Sequence, residues 1–205
     1  MSIFNFLVLQ LKQIFNPVLL ILVICHSNAH AAEVGLGLHR YMPLNQGVDF
    51  DGVHLAGKYQ LTKQWHVVVE FEFLQEQFDQ SEFTIMRQVW GGSYQLAFVK
   101  PLLLTLTLGG HHVQREFNSD TFSNNEHDFS YLVGLDLQHT IVNDHDIGTR
   151  LRHYQLFDNP RYDLALYYQH HLSRLWRFEV LTELAYDRQL EHDANRYQVT
   201  ITYVF

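Results

Sequence analysis

From residue 32 onward, apolar and polar residues alternate with a period of two, the pattern of a strand with one apolar face. No stretch sustains the 3.6-residue period of an amphipathic helix. The clearest rows are Val53-Leu55-Gly57-Tyr59-Leu61, Trp65-Val67-Val69-Phe71-Phe73, Leu104-Leu106-Leu108 and Phe129-Tyr131-Val133-Leu135-Leu137. Tyr162-Leu164-Leu166-Tyr168, Trp176-Phe178-Val180-Thr182-Leu184-Tyr186 and Tyr197-Val199-Ile201-Tyr203-Phe205 continue the series. Weaker rows lie at Val34-Leu36-Leu38, Trp90-Gly92-Tyr94-Leu96-Phe98 and Ile147-Thr149-Leu151. Together they predict ten strands, most about ten residues long, near the 9–11 that a tilted transmembrane strand needs. Eight is the alternative if the first or seventh row is not a separate strand.

The connections alternate too. Residues 62–64, 99–102, 140–146 and 173–174 read as tight turns. Residues 43–50, 75–82, 114–127 and 187–195 read as longer, polar loops, with Phe157-Asp158-Asn159-Pro160 a short exception. Long loops on one rim and short turns on the other suit an outer-membrane barrel with both ends of the barrel on the periplasmic side.

Residues 1–31 stand apart. Lys12 is their only charge, an apolar run covers Val18 to Cys25, and Ala29-His30-Ala31 places small residues where a signal peptidase cuts. This is the layout of a secretory leader; the apolar run is too short to span a bilayer as a helix. The domain plan is therefore a signal peptide at 1–31 and a barrel at 32–205. Cys25 is a weak candidate for lipid attachment, because bulky Ile24 precedes it, and it leaves with the leader.

Composition supports this plan. The chain has 205 residues, 47% of them hydrophobic and only 18% charged, with 14% aromatic; a soluble domain carries about 25% charged residues. The formal charge of −8 argues against a broad nucleic-acid-binding surface. A secreted soluble barrel would also alternate, with its apolar rows turned inward. Three features favour rows turned outward to lipid. Aromatics gather at both ends of the rows: Tyr59, Trp65, Phe98, Tyr168, Trp176 and Tyr203 at one, Phe73, Trp90, Phe129, Tyr162, Tyr186 and Tyr197 at the other. The polar rows hold small residues such as Gly35, Gly37, Gly91, Gly109, Gly134 and Gly148 that suit a crowded interior. The last nine residues, Tyr197 to Phe205, alternate to a terminal Phe.

That ending resembles the C-terminal signal read by the barrel-assembly machinery of Gram-negative bacteria. The chain over about 33–205 resembles the small outer-membrane barrels, such as the transmembrane domain of the OmpA family. The resemblance implies an outer-membrane location, contact with lipid and lipopolysaccharide, recognition of the Phe205 motif by the assembly machinery, and no particular activity.

With the apolar rows outward, Lys58, Arg87, Arg150, Arg152 and Arg177 face inward with Glu70, Glu72, Asp136, Asp163, Glu179 and Glu183. His39, His54, His66 and His111 share that side. A one-residue slip would set these charges against lipid, at about 2–4 kcal/mol for each mid-bilayer Arg or Lys. Five bases against six acids favour a salt-bridged plug over a selective pore, which would carry one sign.

The 14 histidines raise metal binding. However, His111-His112 and His170-His171 point to opposite faces of a strand, and only His39, His54 and His66 could converge. Hydrolase chemistry has components in Asp49-Phe50-Asp51, Glu126-His127-Asp128 and Glu191-His192-Asp193, pairs that could activate water. A serine-hydrolase reading has only His171-Leu172-Ser173, at a turn, and His153-Tyr154-Gln155, which lacks the serine. Neither motif is complete, so no catalytic, cofactor-binding or metal-ligating residue is assigned. On the seventh row, Thr149, Leu151, His153 and Gln155 make an oddly polar lipid face, which predicts a β-bulge or, alternatively, a contact stripe. The expected protein is a monomeric, all-β, antiparallel up-and-down transmembrane barrel without enzymatic activity, serving envelope integrity or surface interaction. A small diffusion pore and a surface hydrolase are the alternatives.

Overall fold

The computed structural model describes residues 31–44, 49–78, 81–97, 101–119, 121–189 and 191–205; the leader expected at 1–31 and Phe98 of the aromatic rim fall outside them, apart from Ala31. The described residues form ten antiparallel strands: β1 Ala32–Pro43, β2 Phe50–Gln60, β3 Trp65–Phe78, β4 Ser81–Ala97, β5 Leu102–Ser119, β6 Ser123–Val142, β7 His145–Leu156, β8 Asn159–His171, β9 Trp176–Tyr186 and β10 His192–Val204. Each pairs with its sequence neighbours, and β1 closes the barrel against β10 from Glu33↔Val204 to Pro43↔Ala194. The first and seventh rows, β1 and β7, are both full members of the wall, which excludes the eight-strand alternative. Closure leaves no sheet edge through the wall, the condition for putting strands in hydrocarbon.

The parity assignment holds around the ring. Leu36, Leu38, Leu108, Phe129, Leu135, Leu166, Val199 and Ile201 lie exposed on the outer wall, while His39, Glu72, His111, Asp163, Glu183 and Arg196 are buried within. Trp65–Tyr94 and Trp176–Tyr203 rings meet at 4.8 Å on the short-turn rim, and Trp90–Phe129 at 5.3 Å towards the other. Two of the short turns share one local code. Thr62 Oγ1 accepts from the backbone N–H of Trp65 at 3.0 Å, and Ser173 Oγ from that of Trp176 at 3.2 Å. A hydroxyl three residues before an interfacial tryptophan thus closes each turn.

Two expected loops are not loops. Residues 75–82 and 114–127 are mostly strand, and the β5–β6 pairing runs from Leu102↔His139 to Asn118↔Ser123. Beyond the bilayer both sheet faces meet water, so polar residues are no bar to pairing and the hairpins simply continue. Strands β3–β6 accordingly form a crown above the wall. Residues 187–195 are likewise shorter as a loop than expected, since β10 starts at His192 with a register shift before Ala194.

The bulge expected on the seventh row is absent. β7 pairs with β8 in unbroken register from His145↔His170 to Leu156↔Asn159, and the nearby shift lies between Thr140 and Val142 on β6. Thr149, His153 and Gln155 therefore stay on the outer wall. His153 is nevertheless satisfied: its Nδ1 lies 3.1 Å from the Arg161 carbonyl and its Nε2 3.1 Å from the Tyr131 hydroxyl. Nδ1–H donates to the carbonyl and Tyr131 donates to Nε2, which fixes a neutral tautomer (assigned from these partners). An imidazole bonded at both nitrogens can face lipid without an external partner.

The β7–β8 turn is short because it is left-handed. Phe157 and Asp158 have φ of 47° and 64°, the type I′ geometry that ordinarily selects Asn or Gly. Phe157 is held there by the Asp128 carboxylate, which accepts from its N–H at 2.5 Å, and by the Arg115 guanidinium 4.4 Å from its ring centroid.

The stripe generates a test. Tyr131→Phe leaves Nε2 of His153 without its donor and is expected to lower stability by about 1–3 kcal/mol. Adding His153→Leu should restore most of the loss, measured by urea unfolding of the refolded full chain in lipid vesicles. Equal stability of Y131F and the parent would show that the stripe is solvated.

Candidate functional site

The inward side chains stack in layers, and the layers differ. Nearest the crown, Phe50, Leu74, Ile85 and Val113 form a buried apolar cluster, with Tyr41, Phe83, Leu156 and Phe157 packed against it. Phe50 and Phe83 rings lie 5.4 Å apart. The sequence pattern does not reveal this apolar layer inside the lumen: Phe50 ends the stretch 43–50 with loop character, although β2 starts there, and the inward apolar residues alternate among polar neighbours of the same parity.

Below it lies a charge belt centred on Glu72. Its Oε2 is 3.2 Å from Arg87 Nη1, and its Oε1 is 3.3 Å from both Arg196 Nε and His39 Nδ1. Arg196 also reaches Glu183 at 2.9 Å, and Arg87 reaches Asp163 at 3.7 Å while lying over the Tyr154 ring. Tyr154 in turn donates to Asp163 at 3.2 Å. Arg87 and Asp163 stand on β4 and β8, so the contact spans the lumen. Arg196 does not show as an inward residue in the sequence, because the apolar row of its strand begins only at Tyr197. Glu33, just ahead of the first apolar row, is hidden similarly and pairs with Arg177.

One layer further, Arg152 grips Glu70 with two nitrogens, at 2.8 and 2.5 Å, again across four strands. Then Asp136 receives Arg150 at 3.0 Å and the Tyr167 hydroxyl at 2.7 Å. Tyr167 lies flat on Gly148, where any Cβ would come within 2.2 Å of the ring; this glycine makes room for the phenol that finishes the Asp136 site.

The free volume follows the same layering. The plug and the belt each enclose only about 30 Å³, roughly one water's share. Between the belt and the short-turn rim a cavity of about 210 Å³ opens, lined by residues from all ten strands, including Lys58, Ser93, Thr107, Gln169, Glu179 and Thr200. The lumen is thus closed towards the crown and hollow towards the short turns, rather than filled along its whole length.

The other sequence candidates are dispersed. Arg40 holds Asp49 at 2.7 Å and stands 3.9 Å from Asp51, so that acidic pair is neutralised by an outward-facing guanidinium. Asp128 anchors Phe157, Glu126 accepts from Asn124, and His127 stacks on His112 at 5.8 Å. His192 bonds Asn195, and the Glu191 N–H donates to Asp187. His171 pairs with Asp146, whereas Ser173 Oγ is committed to the turn. His39 and His54 lie in the lumen on different acids, Glu72 and Glu70, and His66 is buried nearer the short-turn rim. Among the described residues no three or more His, Cys, Asp or Glu side chains gather in a way that could hold a metal ion. The chemistry this arrangement supports is pairing and solvation of charge inside a wall.

Removing one arm of the belt should reveal its weight. Arg196→Met strands Glu183 and takes one of two arginines from Glu72; it is expected to cost about 3–5 kcal/mol, the range for breaking a buried pair. Arg40→Met, at an exposed pair, should cost no more than about 1 kcal/mol. Both are read by urea unfolding in vesicles, and equal losses would contradict the layered electrostatics described above.

No family model matches the sequence, and no curated protein matches it. In three dimensions the chain is similar to an outer-membrane channel from Pseudomonas putida F1, with a TM-score of 0.52 and 10% identity over 87% of this chain and 97% of that one. It is also similar to the translocator domain of the autotransporter NalP from Neisseria meningitidis (TM-score 0.48, 6% identity, 97% of each chain). A third is Ail, the attachment invasion locus protein of Yersinia pestis (TM-score 0.44, 15% identity, 86% of this chain and 97% of that one). At these identities the likeness is one of fold. The closed ten-strand wall, its apolar outer band and its aromatic rims give this chain the fold of the outer-membrane β-barrels.

Proposed function

We propose that this barrel is non-conducting and non-enzymatic, and serves the envelope through its stability in the membrane and its outward crown. The observation that carries the reading is the double seal. An apolar plug and a paired charge belt lie in series, with only about 30 Å³ of free space in each. A permeant ion would have to displace Arg87 and Arg196 from Glu72, Asp163 and Glu183, exchanging charge-assisted contacts for none. A diffusion pore needs a continuous wet path, and the plug interrupts it.

The crown supports surface interaction. Strands β5 and β6 are 18 and 20 residues long, against the roughly 9–11 that cross a bilayer. Above Leu132, where pairing with β7 begins, the β6 segment Ser123–His127 is exposed with Asn, Glu and His side chains. Lipopolysaccharide surrounds the outer wall in this reading, the terminal Phe205 motif addresses the chain to the barrel-assembly machinery, and one chain makes the whole barrel.

Planar-bilayer recording of the refolded full chain checks the seal. The parent should give no reproducible conductance steps, whereas a double substitution that thins the plug and cuts the belt, Phe50→Ala with Arg87→Ala, should give small ones. Reproducible steps from the parent would establish the pore reading instead.

A further inference from the structure

The cavity on the short-turn side has properties that a structural plug does not require. In the belt, each guanidinium and carboxylate has an opposite charge within 4 Å. In the cavity the pairing is incomplete. Its lining contains four acids, Glu33, Glu70, Asp136 and Glu179, and four bases, Lys58, Arg150, Arg152 and Arg177. Three pairs form among them: Glu33 with Arg177, Glu70 with Arg152, and Asp136 with Arg150. One ammonium, Lys58, and one carboxylate, Glu179, make no ion pair within 4 Å and no hydrogen bond among the described residues; Lys58 feels Glu33, and Glu179 feels Arg150, only at longer range.

A third group points the same way. Ser93 is buried at 2% exposure, lines the cavity, and its hydroxyl has no hydrogen-bond partner. Buried hydroxyls are ordinarily satisfied, and one left open costs about 1–3 kcal/mol. Thr105, Thr107, Thr202 and Gln95 supply further donors and acceptors around it.

Lys58 and Glu179 come from different walls. Lys58 is on β2 opposite Glu33, and Glu179 is on β9 opposite Thr200, three strands away round the closed wall. Ser93 is on β4, two strands from Lys58 in the other direction. One occupant of the cavity can meet all three.

We propose that the cavity is a binding site for a small zwitterion, a free amino acid or dipeptide, admitted from the short-turn, periplasmic side. Its carboxylate meets Lys58, its ammonium meets Glu179, and its central polar atoms meet Ser93. A net-neutral occupant preserves the lining's four-to-four balance, whereas a singly charged one leaves a bare charge in a low-dielectric lumen. About 210 Å³ corresponds to several waters at about 30 Å³ each. It lies below the roughly 300–1,000 Å³ of pockets for drug-sized ligands, which limits the occupant to this size class.

Isothermal titration of the refolded full chain in detergent micelles tests the site, with glycylglycine and glycine as probes. Acetate, methylammonium and glycerol serve as one-ended and uncharged controls. Saturable binding of a zwitterion is expected, at least tenfold tighter than any control. Lys58→Met and Glu179→Gln should each weaken it at least tenfold. Folding of every variant is verified by its heat-dependent mobility on a gel. Ser93→Val breaks no hydrogen bond or ion pair and covers the case in which a charge variant does not fold; it too should weaken binding at least tenfold. Absence of saturable binding by both zwitterions would mean a water-filled cavity and overturn the proposal. So would binding unchanged in the folded variants, or controls that bind as well. Bilayer silence, the test of the sealed lumen, does not depend on any of these outcomes.

Discussion

Charge pairing across a narrow lumen is the constraint from which the rest of this barrel follows. Glu72 sits where Arg87, Arg196 and His39 all reach it, and these residues come from four different strands. Such a cluster exists only if every strand is in register, because a slip of one residue turns its charges to lipid. The cluster exists only if the wall is closed, because only closure brings β4 opposite β8 and β3 opposite β7. Arginine suits both tasks, since its planar fork can serve two carboxylates at once. The belt therefore does for this fold what an apolar core does for a soluble one, and the apolar surface is left to the solvent outside.

Much of this was legible in the sequence, for a definable reason. Period-two alternation reports which side of a wall a residue faces, and the bilayer makes that choice all or none. Hence the ten strands, the outer rows and the inward positions of Arg87, Arg152, Glu70 and Glu72 could be read directly. Polarity reports less well where both faces meet water. Strands β3–β6 run on past the membrane with side chains that look like loop, and only the pairing Asn118↔Ser123 reveals them. Partnership is not legible at all. Nothing local tells that Glu70 will find Arg152, 82 positions away, or that Glu179 will stay out of close contact with a cation. The polar face of β7 was visible as an anomaly, but its resolution needed Tyr131 and the Arg161 carbonyl, both contributed by neighbouring strands.

The two halves of the lumen express two uses of buried polarity. Where opposite charges stand within 4 Å of one another, the interior becomes a rigid tie between walls, and small molecules are excluded. Where Lys58 and Glu179 make no close pair and the Ser93 hydroxyl no hydrogen bond, the same kinds of side chain leave room and unspent hydrogen-bonding capacity. The boundary lies at Glu70 and Arg152, which line both the belt void and the larger cavity. The barrel is thus a cup with its floor towards the crown and its mouth towards the short turns.

The left-handed turn at Phe157-Asp158 bears on how the barrel could be re-engineered. Residues 121–122, at the tip of the β5–β6 hairpin, are exposed, so a peptide tag spliced there would extend into the medium. The 157–158 turn is different. Its ring packs against the floor of the cup, its backbone is tied to Asp128, and its two residues leave no slack. A tag inserted there would lift Phe157 away from Leu156 and Val113 and loosen the floor. This turn faces outward, yet it is closed to display and belongs mechanically to the interior.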